Sequence, residues 1–261
     1  MHQTLYDSIG VSYNNHRNAD VRIISAIKDL LNLPTGLTVA DIGAGTGNYS
    51  NALANSGYKI IAVEPSDIMR KQAVPNKDVT WLSGAAELIP LPDNSINGVI
   101  IILAFHHFSN TNKAIQELAR ICPEGPIVIF TMDPRESEKF WFNDYFPEIA
   151  RDVAKTFPPI NETIKLIAIK NRWSAIVKKF PLPDDLVDMN MSSGWNRPEI
   201  YLDEKMRENT SGFALASPEC VQKGLSKLQK DLNSGEWDKK YGFLRKLDCF
   251  DAGFRFIRFT K

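Results

Sequence analysis

The stretch VADIGAGTGNYS, Val39 to Ser50, decides how this chain is read. An apolar run ends in Asp41, and glycines follow at 43, 45 and 47. Alternate glycines between a strand and a helix allow a tight turn, close approach of a ligand to the main chain, and close helix packing. Nucleotides and nucleoside-like cofactors are the ligands that use such a turn. A second landmark is Glu64, 17 residues after Gly47 at the end of the next apolar run, where a carboxylate can accept hydrogen bonds from both hydroxyls of a ribose. The turn reads D-x-G-x-G-x-G, not G-x-G-x-x-G. A pyrophosphate beside Asp41 would be repelled, whereas a cationic amino-acid portion would be welcome.

Working outward, VRIISAIKDLLNL (21–33) places Ile23, Ile24, Ile27, Leu30 and Leu31 at helical spacing, with Pro34 and Gly36 as its stop. LTVADIG, YKIIAVEPS, VTWLSG, INGVIIILAF and PIVIFTMDP read as five strands, with helices in GNYSNALANSG, SDIMRKQAV and NKAIQELARIC. Ser66 is the expected N-cap of the second of these helices. SAIVKKFPL reads as a sixth strand and AGFRFIRFTK as a seventh. Alternating strands and helices with apolar strands predict an α/β fold: a Rossmann-like, seven-stranded, mostly parallel sheet with helices on both faces. Ligands of such sheets lie outside the carboxyl ends of the strands.

The remaining sequence is predicted to be a partly helical substrate cover inserted around strand six. The expected division within one domain (1–261) is a cofactor-binding core at about 1–134, 174–182 and 250–261, and a cover at about 135–173 and 183–249. The aromatic-rich segments Phe140 to Phe146 and Trp195 to Tyr201 are expected to form that cover, and 197–217 mixes charges with aromatics that can meet a substrate. SPECVQKGLSKLQKDLNSG is its clearest helix.

The ordered motifs DIGAGTG, AVEPS, AELIPLPDNSIN, LAFHHF and GPIVIFTMDP, from about Tyr6 to Pro134, resemble the class I S-adenosylmethionine-dependent methyltransferases, specifically the type 11 small-molecule group. The resemblance implies S-adenosylmethionine as cofactor. It assigns cofactor binding to Asp41, Gly43, Gly45, Glu64, Ala86 and Glu87, with Ile68 or Met69 packing on the purine and Leu103 with Ala104 at the methyl-donor end. Relatives have an aspartate where this chain has Ala85. Tyr6, Tyr13 and Arg17 match an N-terminal signature that folds over the cofactor in similar enzymes. His106 and His107, beyond strand four, are the histidines best placed as a base if the nucleophile carries a proton.

Lysine plus arginine (31) balance aspartate plus glutamate (31), so no global basic field points to nucleic acid, and a small-molecule partner is expected. Cys122, Cys220 and Cys249 are widely spaced and unpaired in pattern, which disfavours a disulfide framework or zinc site. No metal is expected. No signal-peptide core or membrane-span run is present, so a soluble, cytoplasmic protein is expected. Two alternatives keep the same cofactor: an RNA methyltransferase, against which stands LAFHHF where an N-P-P-Y-type tetrapeptide would be, and a non-catalytic S-adenosylmethionine-binding protein. A nicotinamide dehydrogenase would need the dinucleotide spacing.

Overall fold

The amphipathic spacing at the start of the described chain produces helix α1, Val21–Leu31. Asp20 caps it by accepting a hydrogen bond from the Arg22 N–H at 2.9 Å, and the chain leaves through Asn32 at φ +49. The stop therefore comes at a left-handed asparagine, ahead of Pro34 and Gly36. This is a computed structural model that describes residues 18–137, 140–208 and 210–261.

After α1 come β1 (Thr38–Ile42), α2 (Asn48–Asn55), β2 (Lys59–Val63), α3 (Asp67–Lys71), β3 (Val79–Leu82), β4 (Gly98–Ile102), α4 (Thr111–Ile121) and β5 (Ile127–Met132). Then follow α5 (Phe142–Tyr145), α6 (Pro147–Thr156), α7 (Ile160–Asn171), β6 (Ser174–Lys179) and β7 (Leu182–Pro183). The chain ends with α8 (Glu204–Glu208), α9 (Ser211–Ala214), α10 (Pro218–Ser234), α11 (Glu236–Tyr241), β8 (Cys249–Phe250) and β9 (Phe254–Thr260). Of the helices after β7, α10 was legible because it is long enough to show a period, with Ser217 as its N-cap and Gly235 just past its end. The others run only four to six residues, too short for periodicity to register.

Seven strands form one sheet in the order β3-β2-β1-β4-β5-β9-β6, as the sequence predicts in number. Strands β1 to β5 are parallel, and β9 runs antiparallel to both β5 and β6. The period of two in β4 and β5 divides the core. Val99, Ile101, Ile127 and Ile129 meet Ile115 and Leu118 of α4 on one face. Ile100, Val128 and Phe130 meet Ile23 and Ile27 of α1 on the other. Each such aliphatic side chain contributes roughly 1.5–3 kcal/mol by its removal from water. Helix α7 also belongs to the sheet: Ile160 and Ile167 lie in the α4 layer beside Ile257 and Phe259. Among the described residues, no helix is long and apolar enough to cross a membrane.

The chain between β7 and β8 is an excursion whose two ends pair as an antiparallel ribbon, Leu182 with Phe250 and Pro183 with Cys249. Its core is aromatic. Trp141, Phe142, Phe146, Trp195, Tyr201 and Trp237 are buried together with α5 packed among them, and Trp141 Nε1 donates to the Trp195 carbonyl at 2.8 Å. Three ties fix the excursion to the sheet unit: Arg22 pairs with Asp185, the Val187 N–H reaches Asp20, and the Tyr49 hydroxyl donates to Asp188 at 2.8 Å.

Candidate functional site

Strand order reverses between β1 and β4, and the carboxyl ends of these two strands are where the site assembles. The glycine turn leaves β1 with Gly43, Gly45 and Gly47 at φ +77, +57 and +79. All three adopt the left-handed region, and they are bare for two different reasons. A Cβ on Gly43 would stand 2.6 Å from the Ala104 Cβ at the end of β4, and one on Gly47 would stand 2.5 Å from the Trp81 ring. Those two glycines permit protein packing. A Cβ on Gly45 would meet only the flexible Met69 Cε, at 3.4 Å, so this is the position where the main chain faces open space. The missing side chain of Gly43 makes room for Ala104, whereas that of Gly45 leaves open space.

Two carboxylates flank the turn. Asp41 is buried, and its Oδ2 accepts from the Ser50 hydroxyl at 2.6 Å while Oδ1 has no hydrogen-bond partner among the described residues. Burial, opposed by the Ser50 bond and reinforced by the charge of Glu64, pushes Asp41 up to about 7. A buried acceptor without a partner costs roughly 1–3 kcal/mol, so the site is poised for a donor, and a cationic one would be favoured most. Glu64 is buried at the end of β2. Its Oε2 accepts from the Gly45 N–H at 3.0 Å and its Oε1 from the Ser66 N–H at 2.9 Å. These bonds fix the carboxylate against the glycine turn. Ser66 caps α3 as expected, accepting from the Met69 N–H and so setting Met69 over Gly45. Ile68, half-buried, occupies the same short helix.

Other expected residues take different positions. The Ala86 methyl is buried in the α4-side apolar layer, leaving only its main chain to address a ligand. Glu87 Oε1 accepts from the Ser109 hydroxyl at 3.0 Å and the Asn110 N–H at 2.9 Å. Its carboxylate therefore ties the loop after β3 to the loop after β4. Tyr6, Tyr13 and Arg17 lie outside the described residues.

Beyond β4 the chain turns sharply. Leu103 adopts φ +50, a left-handed conformation that costs a branched-chain residue roughly 1–2 kcal/mol, while its N–H bonds the Phe130 carbonyl at 2.8 Å. The reversal sends Phe105–His107 into a single 3-10 turn. It opens a cleft of about 230 Å³ whose inner wall is Leu103, His106 and His107. The His106 ring stacks on Phe157 at 3.8 Å between centroids and lies 3.8 Å from the His107 ring, so β4 is joined to the end of α6. His107 keeps an exposed edge, yet desolvation by the surrounding walls lowers it to about 4, and the imidazole is neutral at pH 7.

Apart from the end of 197–217, the sequence did not single out the residues of the cleft's outer wall. The aromatic segments expected to form it are the buried core of the excursion, and none of Phe140 to Phe146 or Trp195 to Tyr201 lines the cleft. Ile149 and Val153 of α6, Asn190 to Ser192, and Thr210 to Gly212 line it instead, with Met132 and Phe254 from the sheet. Of the segment 197–217, the part that meets the cleft is its end, Thr210 to Ala216. Ile149 and Val153 fall four residues apart on one helix face, a spacing visible in FPEIARDVAKTF, but nothing in it says which cavity the face borders. Among the described residues no cluster of His, Cys, Asp or Glu is arranged to hold a metal ion.

Comparison with known proteins agrees with this geometry. A methyltransferase domain family model matches residues 40–130, from β1 through β5. A crystal structure described as a putative methyltransferase from an antibiotic biosynthesis pathway of Anabaena variabilis is 48% identical, with a TM-score of 0.91, and the alignment covers 94% of this chain and 99% of that one. An uncharacterized methyltransferase of Mycobacterium tuberculosis is 34% identical over 118 residues, covering 44% of this chain and 47% of its own length. The match thus spans about half the length of that relative. A Haemonchus contortus phosphoethanolamine N-methyltransferase, in complex with phosphomonomethylethanolamine and S-adenosylhomocysteine, shares the fold at 18% identity with a TM-score of 0.56, over 98% of this chain and 57% of that one.

Proposed function

The chain belongs to the class I S-adenosylmethionine-dependent methyltransferases, and we propose that it uses S-adenosylmethionine to methylate a small molecule held in the cleft beyond β4. The observation that carries this reading is the buried Asp41 carboxylate at the start of the glycine turn, with one oxygen lacking a partner among the described residues. An ammonium group is the donor that fits it, and the neighbouring Glu64 oxygens suit a pair of ribose hydroxyls. The excursion between β7 and β8, together with α5 and α6, is read as the substrate cover. The description of the Anabaena relative supports a small organic acceptor rather than RNA or another macromolecule.

When bound, the cofactor supplies an electrophilic methyl carbon on a sulfonium, so the protein has no donor to activate. Asp41 and Glu64 bind and orient. Leu103, by its left-handed turn, directs the inner wall so that an acceptor in the cleft abuts the end of β4 next to Gly43 and Ala104. Alignment of this kind is worth roughly 7–11 kcal/mol of barrier where the geometry is near-attack. The apolar walls exclude water from the acceptor. His107, neutral across the physiological range, accepts a hydrogen bond from the acceptor's proton and receives it as the new bond forms; His106 holds the wall through its stack on Phe157.

The test is calorimetric titration with S-adenosylmethionine, S-adenosylhomocysteine and NAD, followed by transfer of a labelled methyl group to candidate acceptors. Binding of both adenosyl ligands and not of NAD is expected. Binding of NAD alone, or of none of the three, would return the dehydrogenase or non-catalytic alternative. For His107, the pH profile of turnover is expected to fall on the acid side near 4; an acid limb near 6.5 would remove the assignment.

A further inference from the structure

The cleft carries more chemical information than its position. Its walls are thioethers and rings: Met132, Met191, Phe157 and Phe254 face it together with Ile149 and Val153. Thioether sulfur makes favourable contacts with aromatic rings. Of the polar side chains along the outer wall, Thr156, Asn190, Ser192 and Thr210 are engaged within the protein. The Asn190 amide donates to the Asp188 carbonyl and accepts from the Ser192 N–H, the Ser192 hydroxyl points at the Met132 sulfur at 3.9 Å, and the Thr210 hydroxyl donates to the Arg207 carbonyl. The wall therefore behaves as an apolar surface. Among the described lining residues the one fixed charge is Asp152, and it sits at the rim, 72% exposed and paired with Lys155 at 2.8 Å. No lining lysine or arginine is present among the described residues to meet a carboxylate or phosphate, and no inner carboxylate is present to meet an ammonium. A charged group placed deep in such a cleft would lose its hydration without compensation. At about 230 Å³ the cleft is also smaller than the roughly 300–1,000 Å³ of sites that bury drug-sized ligands.

We infer that the methyl acceptor is a small, uncharged aromatic alcohol of the phenol class, its ring between the thioether and phenyl walls and its hydroxyl at the inner end beside His107. This rests on the methyltransferase reading above. In the step implied, the acceptor oxygen forms its bond to the methyl carbon as the carbon–sulfur bond breaks, and sulfur keeps that electron pair. The hydroxyl proton, made strongly acidic as the new bond forms, passes to the neutral His107 and on to solvent.

Three probes separate the possibilities: para-propylphenol, its anionic counterpart para-hydroxyphenylpropionate, and the cationic tyramine. Each is titrated into full-length protein held at saturating S-adenosylhomocysteine, with binding read by saturation-transfer NMR. The neutral phenol is expected to bind at least about tenfold more tightly than either charged counterpart, a tenfold ratio being a modest demand on a desolvated charge. Val153→Lys, which adds a cation to the wall, is expected to turn the preference toward the anionic probe by about tenfold. Leu215→Lys, at a lining position already 63% exposed, repeats that test where packing cannot be upset. Tighter binding of either charged probe, or binding of none while S-adenosylhomocysteine binds, would overturn the inference. Failure of S-adenosylhomocysteine itself to bind would instead bring down the methyltransferase reading and this inference with it.

Discussion

The two ends of the site are built by opposite means. At the cofactor end, one turn supplies most of the groups: Gly43, Gly45 and Gly47 hold left-handed dihedrals in the main chain, while Asp41 before them and Ser50 after them act through their side chains. At the acceptor end, side chains arrive from β4, β5, α6, two parts of the excursion and β9, separated by as many as 151 residues between Leu103 and Phe254. The first end is dictated by local stereochemistry and the second by assembly. A substitution at one end should therefore leave the other nearly intact, and that separation can be broken by experiment.

The largest expected effect lies in the core of the excursion. Trp141 is 1% exposed and donates to the Trp195 carbonyl, so Trp141→Ala removes both a large apolar volume and the bond that joins α5 to the excursion. A loss of roughly 3–5 kcal/mol is expected in urea denaturation. If the comparison is sound, calorimetry will find S-adenosylhomocysteine affinity little changed under native conditions, while acceptor binding is lost. Equal loss at both ends would show that the excursion and the glycine turn form one cooperative unit, with the Tyr49–Asp188 bond as the first connection to suspect.

At the cofactor end, Asp41→Asn removes the charge offered to an ammonium and keeps the shape. A charge-assisted bond is worth roughly 1.5–3 kcal/mol, so S-adenosylmethionine should bind about 10–100-fold more weakly, measured by calorimetry, with the cleft still able to take its acceptor. An unchanged affinity would detach Asp41 from the cofactor altogether.

Smaller effects distinguish the glycines from one another. Gly47→Ala drives a methyl to within 2.5 Å of the Trp81 ring at an unfavourable φ, and a stability loss of roughly 2–3 kcal/mol is expected from strain and overpacking. Gly45→Ala faces only the Met69 tip, so the cost is about 1–2 kcal/mol from the left-handed backbone alone. That variant should nevertheless lose cofactor affinity more severely than Gly47→Ala, because its methyl occupies the open face. Thermal melts and S-adenosylhomocysteine titrations of the pair would sharpen the comparison, and the same order in both measurements would refute the division of labour.

The same contrast explains what could be read in advance. The sheet was legible because each buried strand is a near-continuous apolar run, as in GVIII and IVIFTM. The glycine turn was legible because left-handed dihedrals demand glycine wherever the fold places them. Phe140 to Phe146 do not line the cleft for a physical reason: aromatic density signals burial, and here it signals the excursion's own core. Leu103 gave no sign of its positive φ, since a leucine carries no sequence signature for strain, and Glu87 gave none that Ser109 and Asn110 would claim it. Ser192 and Thr210 are ordinary residues until the chain brings them opposite Leu103.

The smallest effect is also the most specific to the cofactor end, because it depends on one proton. Burial foremost, and the charge of Glu64, hold Asp41 at about 7 in the ligand-free protein, above the usual carboxylate value of 3.8. Between those values the native state holds a proton that the unfolded chain has released. This group thus favours the native state most in acid, and its contribution is withdrawn as pH rises through 7. Relative to Asp41→Asn, which has no such proton, the ligand-free wild type should lose melting temperature between pH 5 and 8. An ammonium beside Oδ1 reverses the preference, since it favours the ionised form. Binding of S-adenosylmethionine should then release a fraction of a proton near pH 7, read as heat that varies with the ionisation enthalpy of the buffer, and affinity should rise from pH 6 to 8. Methylthioadenosine, which lacks the amino-acid portion, should release none. Equal proton release by the two ligands would mean that Asp41 senses ribose and purine through Glu64, and the boundary between the amino-acid and nucleoside halves of the site would have to be redrawn around that pair of carboxylates.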